Sequence, residues 1–331
     1  MRRPVSLYWY EGNLVDWKIL DFDDLRTLRD CVDDSSLMGS DSSLVNLFLL
    51  QKKYNIRACM TDDFLFRRYN GKGSRSGFAF PLFMKSAKAN LKDALALLLA
   101  DGEERGEEIR FCLLTEEQKN AVQSCLSEHF PHVRAEWFTN RDDSDYIYDR
   151  GLLAELPGKS YHKKKNHVSR FCRIYAGQWE FRSLSLCRIE EDIVSVAEAW
   201  LAEREDADSA ALKLELESIR LAVQQKDLFK VEGGVLYVHG KPCAMTLASR
   251  ISDKTMDVHF EKCLSRAAAD GAYAAVNWCF ASSCPDFVYF NREEDMGVEG
   301  LRKAKISYRP QILLDKYYGV VRRGSAEKSH A

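Results

Sequence analysis

One order of strand and helix signals runs through this chain twice, and few folds can be built from such a repeat. In the second half, residues 179–186 alternate polar and apolar side chains as a half-buried strand does. Helical spacing follows at 190–204 and 209–226, then three strand signals at 234–238, 244–251 and 255–261. A helix over 264–282, a strand over 286–290, a helix over 298–304 and a last strand over 311–321 complete the half. The first half reads alike: a strand at 15–20, helices at 23–31 and 43–53, and strands at 56–60, 63–69 and 77–83. A helix at 89–99, a strand at 109–114, a helix at 116–129 and a strand at 133–138 close it. Turn residues punctuate both lists, among them Asn70-Gly71, Gly233-Gly234 and Ser252-Asp253.

The repeated order predicts an α/β (α+β) protein of two tandem domains, 1–143 and 144–331, each a mixed sheet flanked by helices. The order is that of the GNAT (acyl-CoA N-acyltransferase-like) fold, in which the sheet splays between two central strands and admits an acyl donor. With 331 residues, 46% of them hydrophobic and 30% charged, the chain has the length and composition for two cores. The polar run 139–145 is expected to cross the surface between domains. A single α/β domain carrying a helical insertion is the competing reading.

Several function classes drop out on composition. The most apolar run, 94–100, is far shorter than the roughly 18–20 residues a spanning helix needs, so no integral membrane association is expected. Glu11, Asp16 and Asp21 stand where an export signal requires an apolar core, which points to a cytoplasmic protein. Ten cysteines are scattered without close C-x-x-C pairs and read as small core residues in a reducing compartment. His162 and His167, five residues apart on a helix, diverge by about 140°, so no metal is expected there. A net charge of −2 confines any contact with nucleic acid or anionic lipid to a local basic patch.

Four stretches resemble a bacterial family of tandem-GNAT proteins related to the C-terminal, catalytic domain of lysyl-phosphatidylglycerol synthases. They are 145–171, 258–261, 291–317 and, more weakly, 46–54. The family carries a Lys-x-Lys-Phe-x-Pro pattern followed by a Tyr, and Lys303, Lys305, Tyr308, Pro310 and Tyr317 stand in a similar arrangement. The resemblance implies a transferase that takes an aminoacyl group from aminoacyl-tRNA. The long membrane region of the lipid synthases is not part of this sequence, so the acceptor is left open among a small molecule, a peptide and a lipid.

The residues that fit such chemistry cluster in three places. On the helix expected over 159–175, Tyr161, Val168, Phe171, Cys172 and Tyr175 form an apolar stripe bordered by Lys164 and Lys165. These two lysines are candidates to bind an anionic ligand, and snorkelling lysines on a solvated helix are the plain alternative. His259 and Glu261 share one face of a strand and are candidates to take a proton from an acceptor. The segment 291–310 places Asn291, Glu293 and Glu294 before a helix and Arg302, Lys305, Tyr308 and Arg309 at or after it. Glu293 and Glu294 are the base candidates there, with Tyr308 beside them. Asn291, Arg302, Lys305 and Arg309 are candidate substrate-binding groups, although the same charge order suits the helix dipole alone.

A CoA-dependent enzyme would carry a Gly-rich turn after its fourth strand, whose amides cradle pyrophosphate. Residues 261–267 have none, and Gly271 comes later, among small residues expected to let a continuous helix approach the sheet. Aminoacyl-tRNA is therefore the expected donor, with acyl-CoA second. Gly71-Lys72-Gly73-Ser74 lacks phosphate-loop spacing and reads as a hairpin turn. The alternatives to an aminoacyltransferase are a non-catalytic binding module on the same fold and an acyl-CoA-dependent N-acetyltransferase.

Overall fold

The computed structural model describes residues 17–206 and 209–323 and contains fourteen strands among the described residues. In chain order these are β1 (Arg57–Met60), β2 (Phe64–Asn70), β3 (Ser76–Phe78), β4 (Leu82–Phe83), β5 (Ile109–Leu114), β6 (Val133–Thr139) and β7 (Asp145–Asp149). There follow β8 (Trp179–Ser183), β9 (Glu232–Val238), β10 (Lys241–Arg250), β11 (Thr255–Cys263), β12 (Tyr289–Asn291), β13 (Ile312–Leu314) and β14 (Tyr317–Arg323). They build two sheets. One has the order β1-β2-β3-β5-β14-β6 with β4 beside β2, and the other β13-β7-β12-β11-β10-β9-β8. Each sheet is antiparallel except at one internal step, β3–β5 in the first and β11–β12 in the second.

The fold is thus α/β, with two mixed sheets flanked by helices, and both sheets follow one plan. Antiparallel strands lead to a parallel step, and the strand beyond that step, β14 or β7, lies between two others. The two compact units interleave along the chain. Of the described residues, one contains 17–33, Tyr54–Asn140 and 315–323, and the other Asp34–Lys53 and those within Arg141–Leu314. β14 therefore completes the sheet of the first unit although it comes last in sequence.

Local chemistry accounts for the elements. The helices Phe22–Cys31, Leu91–Arg105 and Glu116–His129 begin on reciprocal capping boxes formed by Asp21/Asp24, Asn90/Asp93 and Thr115/Gln118. Leu95, Leu98, Val122 and Leu126 of two of these helices pack with Phe64, Phe66, Phe111 and Leu114 of the sheet. In the second unit, Tyr146, Tyr148, Met256, Phe280 and Phe290 share one core cluster, and Phe171, Leu236, Ala272 and Val276 another. Antiparallel pairing of Asn70 with Ser76 makes 71–75 the hairpin turn the sequence predicts.

Five expectations change. The last strand, expected over 311–321, is two strands in different sheets, β13 and β14. The strand expected over 77–83 likewise divides into β3 and β4. The strand expected over 15–20 begins outside the described residues, and within them Lys18 makes only an isolated bridge to Ala58. The helix expected over 264–282 breaks at Gly271 into Ser265–Asp270 and Ala272–Ser283. Gly271 has φ of 107°, and a Cβ there would lie 2.4 Å from the carbonyl oxygen of His167. Its smallness admits a neighbouring helix backbone rather than the sheet. Finally, 139–145 holds the boundary between the units, after Asn140, but lies on the surface only in part: Thr139 is exposed, while Asp143, Ser144 and Asp145 are buried. Asp145 meets the cost of burial by accepting from Ser40 N (2.8 Å), Ser40 Oγ (3.0 Å) and Asn291 Nδ2 (2.8 Å).

All ten cysteines are free thiols, five of them buried, one exposed and the others between. Among the described residues no helix is long and apolar enough to cross a membrane.

Candidate functional site

The sheet of the second unit opens at its parallel step. β11 runs from Thr255 to Cys263, yet it pairs with β12 only through Thr255–Tyr289, Met256–Phe290 and Asp257–Asn291. Beyond Asp257 no backbone ladder joins the two strands. β12 ends at Asn291, and the chain turns through Glu293, whose φ of 56° is uncommon for a side chain of its size. Two side-chain links take the place of the missing ladder: His259 with Glu293 and Glu261 with Arg292. The alternation predicts His259 and Glu261 on one face of β11, and the structure separates them: Leu247 pairs with Phe260 and Ala248 with Val258, which leaves His259 as a bulge. Asp257 and His259 therefore share one face, while Glu261 falls on that of Met256 and Val258, where Asn277 meets it.

The first link is a chain of polar groups. His259 Nδ1 lies 3.3 Å from Glu293 Oε1 and 3.5 Å from Asp257 Oδ2, while Nε2 lies 2.7 Å from Ser249 Oγ on β10. Asn46 Nδ2 donates to the same Glu293 oxygen at 3.3 Å. The His259 side chain is 2% exposed and Asp257 is fully buried, but Glu293 keeps 24% of its side chain exposed. Both ring nitrogens of His259 are therefore engaged, and of this group Glu293 is the one that meets solvent.

The second link carries charge. Arg292 Nε donates to Glu261 Oε2 at 3.0 Å and Nη2 bonds the same oxygen, while Asn277 Nδ2 donates to Glu261 Oε1 at 3.0 Å. The guanidinium lies 4.7 Å from the centre of the Tyr308 ring and 5.5 Å from that of Tyr148. Lys164 Nζ lies 3.7 Å from the same Tyr308 ring. Desolvation, with the Arg292 charge second, pushes the Lys164 amine down to about 8. Burial raises the Tyr308 hydroxyl to about 12, so it stays protonated at neutral pH. Two cations thus share one aromatic ring and one carboxylate, which leaves positive charge over for an anionic ligand.

Lys305 sits beneath this arrangement. Its buried amine donates to the carbonyls of Arg292 and of Glu293, the latter at 3.1 Å, and burial lowers its pKa. It fixes the turn that carries both links. Asn291, fully buried, holds the same turn: it donates to Met38 O and Asp145 and accepts from Glu293 N at 2.7 Å.

Of the sequence candidates, the structure gathers Lys164, His259, Glu261, Asn291, Glu293, Lys305 and Tyr308 around the opening. Glu294 is half-buried next to the turn and favours the charge on Lys305. Arg302 is engaged elsewhere, with Asp295 (2.8 Å) and Asp142 (2.6 Å). Lys165 is exposed, and Arg309 is exposed in a left-handed turn. Sequence reasoning passed over Arg292, Asn46, Ser249, Asp257 and Asn277. Asp257 stands two residues before His259 on the same face and was legible; Asn46 and Ser249 arrive from other segments with no local signal.

Two features bear on cofactors. Among the described residues, Asp257, His259 and Glu293 bring metal-ligating atoms within 4.8 Å of one another. At the start of the helix after β11, where a pyrophosphate would need free amides, Ser265 N and Oγ both donate to Glu203 Oε2 at 2.8 Å. A cavity of about 550 Å³ lies in the first unit, lined by Glu103, Glu107, Glu108, His132 and Arg322 among others, and includes none of the sequence candidates.

Comparison with known proteins follows this geometry. The family described as phosphatidylglycerol lysyltransferase, C-terminal, matches residues 34–319. A conserved protein of unknown function from Bacteroides thetaiotaomicron superposes with a TM-score of 0.81 at 28% identity, covering 93% of this chain and all of that one. The C-terminal domain of a candidate lysylphosphatidylglycerol synthetase from Agrobacterium fabrum gives 0.59 at 13% identity, covering 90% of this chain and 91% of that one, a likeness of fold. An uncharacterized protein of Mycoplasmoides gallisepticum is 21% identical over 213 residues, which are 61% of this chain and 66%, just under two thirds, of that protein.

Proposed function

Because the chain belongs to the phosphatidylglycerol lysyltransferase C-terminal family, we propose that it is an aminoacyltransferase working at the opening between β11 and β12. The observation that carries the reading is the loss of backbone pairing beyond Asp257, with Arg292, Lys164, Glu261 and Glu293 lining the gap. The donor is aminoacyl-tRNA. Its ester carbonyl is attacked by an amine or hydroxyl of the acceptor, the new bond forms at that carbon, and the ribose hydroxyl leaves.

In this reading Arg292 and Lys164 hold the phosphate or carboxylate of a substrate and stabilise the oxyanion that develops during attack. Glu293 takes the proton of the acceptor. Its Oε1 is held by Asn46 and His259, and its partial exposure lets an acceptor reach it. Lys305 and Asn291 position the turn and touch no substrate. The carboxylate of Glu203 on the Ser265 amide and hydroxyl favours this donor over acyl-CoA, whose pyrophosphate would meet a like charge there. Acceptors to be screened are a small amine, a peptide and a lipid headgroup.

The test is transfer of a labelled amino acid from charged tRNA to those acceptors, with the Glu293→Gln variant alongside. Loss of one positioned base predicts a fall of about 10²–10⁴-fold in the transfer rate with folding intact. Uncharged tRNA binding without product from any acceptor would instead mark a binding module, and acetyl transfer from acetyl-CoA would mark an N-acetyltransferase.

A further inference from the structure

The polar chain at the mouth of the opening has the form of a ligand set, and we propose that Asp257, His259 and Glu293 bind one divalent cation of the zinc class. Their ligating atoms lie within 4.8 Å of one another, with His259 Nδ1 at 3.5 Å from Asp257 and 3.3 Å from Glu293. An ion held tetrahedrally by bonds of about 2.0–2.2 Å separates its ligand atoms by about 3.3–3.6 Å. Both separations from the imidazole fall in or at the edge of that interval, and the two carboxylates close on each other by a small rotation of the partly exposed Glu293.

A hydrogen bond does not explain the set as well. Nδ1 has one in-plane position, and a proton there serves one oxygen while two carboxylates face it. A cation serves both. The partner of Nε2 fits the same reading, because ligating histidines commonly direct their other nitrogen to a fixed hydrogen-bond partner, and Ser249 Oγ stands 2.7 Å from it. With Nε2–H donating to Ser249, Nδ1 presents its lone pair to the ion.

Chemistry and position agree. Two carboxylates balance the charge of a divalent ion, and one imidazole nitrogen with two oxygens suits zinc better than the all-oxygen shells of magnesium or calcium. Asp257 and His259 come from one strand clamped by β10, where Ser249 pairs with Asp257 and Ala248 with Val258. Glu293 supplies the third ligand from the solvent side, which gives the ion a way in. Three protein ligands leave a fourth position for water or substrate. An ion there makes Glu293 a ligand and sets a bound water, more readily deprotonated, beside the acceptor. Only this consequence rests on the aminoacyl-transfer reading; binding itself does not.

The test uses the full chain, stripped with a chelator and titrated with Zn²⁺ and separately with Co²⁺. One equivalent per chain is expected, with Co²⁺ giving the visible absorption of a tetrahedral ion. His259→Gln and Glu293→Gln should each weaken binding at least tenfold. Glu293→Gln keeps the test decisive if His259→Gln does not fold, since it alters a partly exposed group without changing its shape. No saturable single-equivalent binding, or equal affinity in wild type and Glu293→Gln, overturns the site. Aminoacyl transfer assayed on the same stripped and reloaded samples separates the two proposals: binding without transfer supports the site and counts against the proposed function, and transfer without binding does the reverse.

Discussion

Arg292→Ala tests the charged link at the opening, and its size follows from what it leaves behind. The Arg292 and Glu261 side chains are 13% and 14% exposed, and both bonds of the pair fall on one Glu261 oxygen. Burial opposes charge on the guanidinium, yet Glu261 keeps its pKa above the usual arginine value. With the arginine gone, Glu261 keeps one hydrogen bond, from the amide of Asn277, and the more distant charge of Lys164. Removing one partner of a buried pair costs about 3–5 kcal/mol, because the other charge stays desolvated. For a unit of roughly 200 residues each kcal/mol moves the melting midpoint by about 2–4 °C, so a drop of roughly 6–20 °C is expected. The double variant Arg292→Ala/Glu261→Gln should recover at least half of it, since a neutral amide can stay bonded to Asn277. Calorimetry or circular dichroism on the three proteins decides the matter. A single-variant shift under about 3 °C, or a double variant no better than the single, would refute the buried-pair account.

Other outcomes follow from the same geometry. Lys164 is charged below about pH 8 and neutral above, so phosphate affinity, read by calorimetric titration, should fall as pH rises through that value, and Lys164→Arg should abolish the fall. Its folded pKa is depressed from 10.5, so the fold disfavours the cation and stability should rise between about pH 8 and 10.5, less so in Lys164→Gln. Gly271→Ala combines a left-handed φ with a backbone clash at His167 and should cost about 2 kcal/mol or more, read from the denaturant midpoint. Asp145→Ala strands the three donors from Ser40 and Asn291 and should cost about 3 kcal/mol, with amide exchange quickening across 40–46. An unchanged midpoint in either variant contradicts the role assigned to it.

Much of this fold was legible because its elements are locally encoded. Capping boxes at Asp21, Asn90 and Thr115 mark helix starts in the sequence, and 109–114 and 116–129 agree with the structure to the residue. What was not legible is long-range. Nothing in 311–321 says that Ile312–Leu314 joins one sheet and Tyr317–Arg323 another, because strand exchange is decided by which edge each reaches. The site divides the same way. Alternation picked out His259 and Glu261 but put them on one face, because a bulge leaves no mark in the residue pattern. Charge density pointed to 291–310, but charge alone could not separate Arg292, which lines the opening, from Arg302, which pairs with Asp295 and Asp142. Asn46 reaches Glu293 only through tertiary packing.

The most direct measurement is a crystal structure of the full chain with a non-hydrolysable aminoacyl-adenosine analogue. Density between β11 and β12, with its aminoacyl carbonyl oxygen within hydrogen-bonding distance of Arg292 and Lys164, is the expected result. Well-ordered analogue bound in the first unit, or anywhere that leaves the Glu261–Arg292 and His259–Glu293 links untouched, would contradict it.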